Sequence, residues 1–343
     1  MKRSIRLTAV LAVLALTTGA CATSGGGTSP AASAASAGAS VEPSVAASSE
    51  ASAAASESAG SSASAAPSES GAASPSSALA SMDPDSLLGK VVSSGKIRIS
   101  TDPNYKPFSF LNPDGTYEGF DNATAVEAVK RLSDKIGAPV EIQWETPGWD
   151  LITAGSWGGR WDISIGSMSV TEGRAKVVDF ADPYYFDSGA VAVPKDSAIQ
   201  TLAELDGGKT FCVGTATTYE QWLTGTLEIV DPNVQTAPTE PDVTALPTDN
   251  ECVQAVASGR TFDAIVANAN GLADAVKSGA PIRVLEGPPI FTVSVAFALD
   301  KSGPSTTEML AVLNEVVGEM HADGTLSKLS MEHLDKDVTQ KPS

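Results

Sequence analysis

The chain has 343 residues, of which 41 are acidic and 22 basic, so its formal net charge at neutral pH is −19. This excess of carboxylates argues against nucleic acid or an anionic lipid surface as a partner. It says little about a small ligand, because a local pocket can be cationic inside an acidic protein.

Residues 1–20 have the plan of an export signal, with basic residues followed by the apolar stretch 7–16. This segment is too short to span a bilayer as a stable helix. The sequence "TTGAC" at 17–21 resembles a bacterial lipoprotein box, although Thr18 stands where that pattern usually has leucine. We therefore expect Cys21 to be the lipidated first residue of the mature protein. The alternative is ordinary secretion, which would leave Cys21 as an exposed reactive thiol.

The segment from residue 21 to 82 follows the signal and consists almost entirely of Ala, Ser, Gly and Pro. Such a composition cannot bury enough apolar surface to offset the entropy of ordering. We expect a disordered tether with a typical end-to-end reach of roughly 45 Å.

The remaining part of the chain, about 260 residues, alternates short β-branched runs with helical segments. This alternation is typical of an α/β fold with largely parallel sheets. Strands are predicted at 96–101, 139–144, 161–166, 189–196, 209–214, 262–267, 281–287 and 291–300. Helices are predicted at 123–137, from about 218, at 250–259, 304–322 and 324–334, with an irregular stretch at 230–248.

Cys212 and Cys252 are left as an even pair in an exported chain once Cys21 is lipidated. We expect them to form a disulfide that closes a loop of about 40 residues. The alternative is two buried thiols. His321 and His333 are the only histidines, and no Cys–His spacing indicates a metal site, so no metal or cofactor is expected.

Five segments occur in the order found in family 3 solute-binding proteins of ABC importers, the polar amino-acid type. They are "STDPNYKPFSFLNPDGTYEGFD" (100–121), "WDISIGSMSVTEGRAKVVDFADPYY" (161–185), "VGTATTYEQWL" (213–223), "GRTFDAIVA" (259–267) and "EMHADGTLSKLS" (319–330). The resemblance runs from about residue 87 to 334. Each motif is weak alone, and the five together in order are specific.

The resemblance implies a type II periplasmic-binding fold, in which two α/β lobes are joined by two hinge strands. Lobe 1 would comprise 87–188 plus 292–338, and lobe 2 would comprise 189–291. A small polar solute, an amino acid or related carboxylate, would bind in the cleft as the hinge closes. The protein would be a monomer outside the cytoplasm, anchored to the cell membrane through Cys21, and would deliver the solute to ABC permease subunits.

Arg174 follows "SMSVTEG" and matches the family's ligand-binding arginine. A carboxylate taken out of water needs fixed donors, and a planar guanidinium can bind both of its oxygens. Arg174 is therefore the expected carboxylate clamp. The alternative is a surface ion pair with Asp179 or Asp182.

The segment Ser169–Glu172 has the capping-box pattern, which predicts a helix beginning at Ser169 with its free N–H groups facing the cleft. By resemblance, Gly166, Ser167 and Ser169 contact the ligand, Gly166 through its backbone alone. Across the cleft the resemblance places Thr217 and Thr218, the latter completing the carboxylate site. The structural alternative for Thr218 is a simple N-cap.

Asp102 and Tyr105, in "TDPNY", match pocket residues of the first lobe, and Trp149 falls where the family has an apolar or aromatic wall. An indole face can stack on a flat ligand or a cation. Phe108 and Trp161 are expected in the core.

Asn268 departs from the family pattern. "DAIVAN" ends where amino-acid binders typically carry the aspartate that holds the ligand's ammonium group, and an amide brings no charge. Either Asp102, another acid or a backbone carbonyl compensates, or the ligand is not a standard α-amino acid.

Two other functions remain open at this stage. One is a cyclohexadienyl-dehydratase-like enzyme on the same fold, which would need a general acid with a raised pKa in the cleft. Asp102 is the only acid that the sequence places there. The other is the ligand-binding component of a sensing system. The leading interpretation, a binding protein, needs no catalytic residue.

Overall fold

The computed structural model describes residues 82–231 and 233–341. The expected signal peptide, the lipidation site at Cys21 and the tether up to residue 81 lie outside the described residues. Among the helices in the described ranges, none has both the length and the apolar character that crossing a bilayer requires.

The first sheet has the strand order β5-β1-β6-β14-β7. Its strands are β1 (Lys96–Ser100), β5 (Glu141–Glu145), β6 (Ile163–Ser164), β7 (Val178–Phe180) and β14 (Ala298–Asp300). β1 runs parallel to β5 and β6, whereas β14 runs antiparallel to β6 and β7. Ile97 and Ile99 of β1 are fully buried, which is why the apolar alternation in "KIRIS" predicts this strand correctly.

Four helices pack around this sheet: α1 (Leu87–Ser94), α2 (Phe120–Ile136), α7 (Thr307–Ala322) and α8 (Thr325–Leu334). The Ser86 hydroxyl caps α1 by accepting a hydrogen bond from the Gly89 N–H. Gly119, at φ +110°, precedes α2, and a Cβ at this position would lie 2.3 Å from the Phe108 carbonyl oxygen. Only glycine therefore allows α2 to begin against this loop.

A small antiparallel sheet and a short helix, neither of them predicted, connect strands of the first sheet along the chain. The sheet consists of β2 (Asn104–Tyr105), β3 (Ser109–Leu111) and β4 (Tyr117–Glu118), and the helix is α3 (Trp149–Thr153). Tyr105 is the last residue of β2, and Trp149 is the first residue of α3.

The second sheet has the order β10-β9-β11-β8-β12, with β13 also paired to β8. Its strands are β8 (Tyr185–Pro194), β9 (Thr210–Gly214), β10 (Asp242–Leu246), β11 (Ala264–Asn268), β12 (Ile282–Val284) and β13 (Phe291–Val295). Its helices are α4 (Thr218–Leu223), α5 (Asp249–Ala257) and α6 (Ala269–Lys277). β9 runs parallel to β10 and β11, and β8 runs antiparallel to its partners, so the sheets are mixed.

Two crossing strands join the sheet units. β8 and β13 pair antiparallel from Tyr185 opposite Val295 to Gly189 opposite Phe291. The proposed lobe boundaries, 188/189 and 291/292, fall within these strands and stay a prediction.

Three predicted elements are corrected. No helix begins at Ser169, because Ser169 forms a backbone bridge with Val295 and remains extended. The first turn comes later, where the Thr171 hydroxyl accepts from the Arg174 N–H at 3.2 Å and a short 3₁₀ turn covers Arg174–Lys176. The predicted strand 291–300 is divided into β13 and β14, and the irregular stretch 230–248 contains β10.

The predicted disulfide is confirmed. Cys212 of β9 and Cys252 of α5 are bonded to each other and are both fully buried. The bridge therefore ties α5 directly to the strand on which it packs.

Candidate ligand-binding site

One pocket collects all the predicted ligand-contact residues except Asn268. The unfilled space between its walls, including the mouth, is about 440 Å³. Four further residues that sequence reasoning missed also line it: Tyr219, Pro247, Thr248 and Asp249. The walls come from both sheet units, so the pocket lies in a cleft between them.

Arg174 is the only buried cation that lines this pocket, with 4% of its surface exposed. Its Nη1 donates to the Ser169 carbonyl oxygen at 3.0 Å and its Nη2 to the Ala216 carbonyl oxygen at 2.9 Å. Its Nε is buried and has no hydrogen-bond partner in the described ranges 82–231 and 233–341. Burial lowers the pKa of this guanidinium to about 10, and it is still charged at neutral pH.

The surface alternative for Arg174 is wrong. Asp179 pairs instead with Lys301 at 3.4 Å. Within the described residues Arg174 forms no salt bridge at all. A buried charge without a counter-ion is costly, and an anion in the pocket would pair with it.

Trp149 forms the wall beside this guanidinium, whose Cζ lies 5.2 Å from the indole centroid. The indole Nε1 donates to the Ala216 carbonyl oxygen at 3.2 Å. Ala216 has a positive φ of 59°, and its carbonyl therefore accepts hydrogen bonds from two side chains of the opposite unit.

Gly166 and Ser167 line the pocket just after the end of β6. A Cβ at Gly166 would approach no atom closer than 3.9 Å, so the missing side chain leaves open space in the pocket. The Ser167 hydroxyl donates to Asp121 at 2.8 Å, and Asp121 also accepts from the Tyr184 hydroxyl at 2.7 Å. Burial raises the pKa of Asp121 to about 7.

Thr217, rather than Thr218, is the N-cap of α4. The Thr217 hydroxyl accepts from the Glu220 N–H at 3.1 Å and donates to the Gly214 carbonyl oxygen at 2.7 Å. Thr218 is the first helical residue and is buried in the pocket wall. The N-cap alternative for Thr218 is therefore wrong.

Asp102 and Tyr105 lie on the wall of the first unit. Asp102 Oδ1 accepts from the Asn104 N–H at 2.7 Å, and partial burial raises the pKa of this carboxyl group. The Tyr105 ring stacks on Phe108, with the ring centroids 5.6 Å apart. Phe108 and Trp161 are buried in the core, as expected.

Asn268 lies outside the pocket, and its amide oxygen is fully used. This Oδ1 caps α6 by accepting from the N–H groups of Asn270 at 2.7 Å and Gly271 at 3.0 Å. Its Nδ2 donates to Asp187, which also accepts from the Tyr219 hydroxyl at 2.6 Å. Asn268 consequently has no acceptor left for a ligand ammonium group.

Asp249 is the pocket residue with the least obvious sequence signal, because an acid in the first turn of a helix is common. Its Oδ1 accepts from the Gly214 N–H at 2.9 Å, and its buried Oδ2 has no partner with hydrogen-bond geometry in the part of the chain that the structure describes. Only 4% of the residue is exposed. Burial raises the pKa of Asp249 to about 7.

Comparison with known sequences supports the motif-based interpretation. Residues 97–336 match the family described as bacterial extracellular solute-binding proteins, family 3. The L-cystine-binding protein TcyJ of Escherichia coli (strain K12) is 29% identical over 265 residues, which cover 77% of this chain and 91% of that protein. The histidine-binding periplasmic protein of Salmonella typhimurium is 30% identical over 71% of this chain and 89% of its own length.

Solved structures of amino-acid-binding proteins also resemble this chain. An ancestral amino acid-binding protein, AncCDT-1, a precursor of cyclohexadienyl dehydratase, superposes with a TM-score of 0.61 at 29% identity. The match covers 73% of this chain and all of that one. An ancestral arginine-binding protein bound to arginine superposes with a TM-score of 0.58 at 27% identity, over 70% of this chain and 98% of that one. These likenesses confirm the predicted periplasmic-binding fold class.

Proposed function

The chain belongs to the bacterial extracellular solute-binding proteins of family 3, and we propose that it captures a small polar solute, an amino acid or related carboxylate, for an ABC importer. Relatives named for cystine and histidine binding and an arginine-bound structure support this class of ligand. The family membership supports ABC permease subunits as the membrane partner.

The observation that carries the proposal is the buried guanidinium of Arg174, which has an unpartnered Nε and no salt bridge within the described residues. Its two satisfied donors hold it against Ser169 and Ala216, so the group is oriented before any ligand arrives. A ligand carboxylate would supply the missing counter-charge.

The prediction that the chain is not an enzyme is confirmed by its relatives, which are solute-binding proteins without catalytic activity. These relatives therefore argue against a cyclohexadienyl-dehydratase-like enzyme.

Isothermal titration calorimetry with L-cystine, L-histidine, L-arginine, L-glutamine and L-glutamate tests the ligand class. We expect at least one to bind the wild-type protein, and Arg174→Ala to weaken that binding by about 100-fold or more, since a buried charge pair would lose one partner. Failure of the whole panel to bind, or unchanged affinity in Arg174→Ala, contradicts the proposal.

We also propose that the protein is anchored to the outer face of the cell membrane through a lipid on Cys21. The "TTGAC" motif and the extracellular family support this part. Metabolic labelling with a radioactive fatty acid should mark the wild-type protein and not Cys21→Ser, which should appear in the soluble extracellular fraction. A labelled Cys21→Ser protein would contradict the anchor.

A further inference from the structure

An amino acid bound to Arg174 through its carboxylate would bring a positive ammonium group into the same closed pocket. By resemblance to the family, residue 268 would accept the ammonium group, but the Asn268 amide oxygen already accepts two hydrogen bonds outside the pocket. We propose that Asp249, instead of residue 268, accepts the α-ammonium group of an amino-acid ligand. This inference rests on the proposed function and assigns the residue that binds one end of the ligand.

The carboxylate of Asp249 is held in one orientation with one oxygen free. Oδ1 accepts from the Gly214 N–H at 2.9 Å, while the buried Oδ2 has no partner with hydrogen-bond geometry among the described residues. The Tyr105 hydroxyl lies close enough to this carboxyl group to lower its pKa. A Cβ on residue 214 would lie 2.5 Å from Oδ1, so the glycine at the end of β9 is what lets the carboxylate come this close. A buried acceptor without a donor is costly, and a ligand N–H group would satisfy it.

The other acids near the pocket are less suitable. Asp187 uses its two oxygens for Tyr219 and Asn268, and it does not line the pocket. Asp121 uses its oxygens for Ser167 and Tyr184. Asp102 lines the pocket but is only partly buried, so water screens its charge more strongly.

Arg174 and Asp249 are therefore the two buried ionisable side chains of opposite sign that line the pocket, and neither forms a salt bridge within the described residues. A carboxylate without an amino group would pair with the guanidinium and leave Asp249 unsatisfied. A zwitterion pairs with both at once. Burial raises the pKa of Asp249 to about 7, repulsion from Asp187 and Asp102 adds to this, and hydrogen bonding from the Gly214 N–H and the Tyr105 hydroxyl opposes it. A ligand cation would favour the ionised form.

The variant Asp249→Asn tests this assignment because it removes the charge and keeps the shape. Asp263→Asn is the matched control: Asp263 also accepts a backbone N–H of β9, from Thr210 at 2.8 Å, but it does not line the pocket. Asp102→Asn tests the other acid in the pocket wall. Asp249→Ser provides a second small replacement in case the amide disturbs the first turn of α5.

The measurement is the affinity for L-arginine, L-histidine, L-cystine and L-glutamine, each compared with its analogue that lacks the α-amino group. Wild-type protein should prefer the amino acid by about 100-fold or more, the effect of losing one partner of a buried charge pair. Asp249→Asn and Asp249→Ser should abolish this preference, whereas Asp263→Asn should keep it and Asp102→Asn should reduce it by less than either Asp249 variant. A merely structural role for Asp249 would weaken both members of a pair equally.

The inference is overturned if Asp249→Asn retains the preference, if Asp102→Asn abolishes it, or if wild-type protein binds the deamino analogues as tightly as the amino acids. In each of these cases carboxylate binding through Arg174 would still stand. If wild-type protein binds neither members of the pairs nor L-glutamate, the proposed function itself fails.

Discussion

Replacing Asn268 by aspartate changes one atom of a buried hydrogen-bond pair. Aspartate is as good an N-cap as asparagine, so the two bonds from α6 to Oδ1 should survive. The donor to Asp187 becomes an oxygen, and two buried carboxylates then face each other. Two unit charges about 4 Å apart repel by about 4 kcal/mol at an effective dielectric constant of about 20.

The loss depends on pH, because the pair can relieve the repulsion by holding one proton. An acid whose pKa is raised by folding destabilises the native state as pH rises above its unfolded value of about 3.9. We expect Asn268→Asp to lower the free energy of unfolding by about 4 kcal/mol at pH 8 and by only about 1–2 kcal/mol at pH 5.

Urea denaturation of the ligand-free protein at both pH values measures this difference. The exchanged double variant, Asp187→Asn with Asn268→Asp, restores one amide and one carboxylate and should recover most of the stability at pH 8. Equal stability of Asn268→Asp and wild type at pH 8, or no recovery in the exchanged variant, would refute the reasoning.

Three further changes test the fold and the buried charges. Replacing both cysteines of the disulfide by serine should lower the free energy of unfolding by about 4 kcal/mol, as expected for a loop of about 40 residues, and an unchanged urea midpoint would contradict this. Burial raises the pKa values of Asp121 and Asp249 to about 7. The free energy of unfolding of the ligand-free protein should therefore fall by on the order of 2 kcal/mol per group between pH 5 and pH 8. A melting temperature that does not change over this pH range in calorimetry would contradict this expectation. Gly119→Ala, whose Cβ would clash with backbone, should cost about 3 kcal/mol or more, whereas Gly115→Ala, at φ +89° with no atom within 4 Å, should cost about 1 kcal/mol; equal melting temperatures would be inconsistent with the packing.

The sequence locates much of the pocket because its residues follow strand ends in a recognisable order. Arg174 comes shortly after the apolar run of β6, and Thr217 follows β9, so both positions are visible as breaks in a pattern. The hydrogen bonding of the Asn268 side chain cannot be predicted from such a pattern. Its partner Asp187 lies 81 residues away in the chain, and only the paired strands β8 and β11 bring the two side chains together.

In the fold, too, local patterns are predicted from the sequence, whereas pairings between distant segments are not. Strands with buried alternation, such as β1, are predicted closely, whereas β10 is missed because no residue of this edge strand is fully buried. The alternating run 291–300 predicts one strand, but the chain leaves the second sheet after Val295 and enters the first at Ala298. A period-two pattern indicates strand conformation without indicating which sheet the strand joins.

The disulfide has a consequence for recognition as well as for stability. Cys212 lies two residues before Gly214, and Cys252 lies three residues after Asp249, so the covalent bond closes a short ring around the hydrogen bond that orients the Asp249 carboxylate. The disulfide thus restrains the Asp249 carboxylate relative to β9. The entropy lost in ordering this group is then part of folding and does not reduce the affinity for the ligand. Formation of the bridge in an oxidising compartment would then help set the affinity for the ligand.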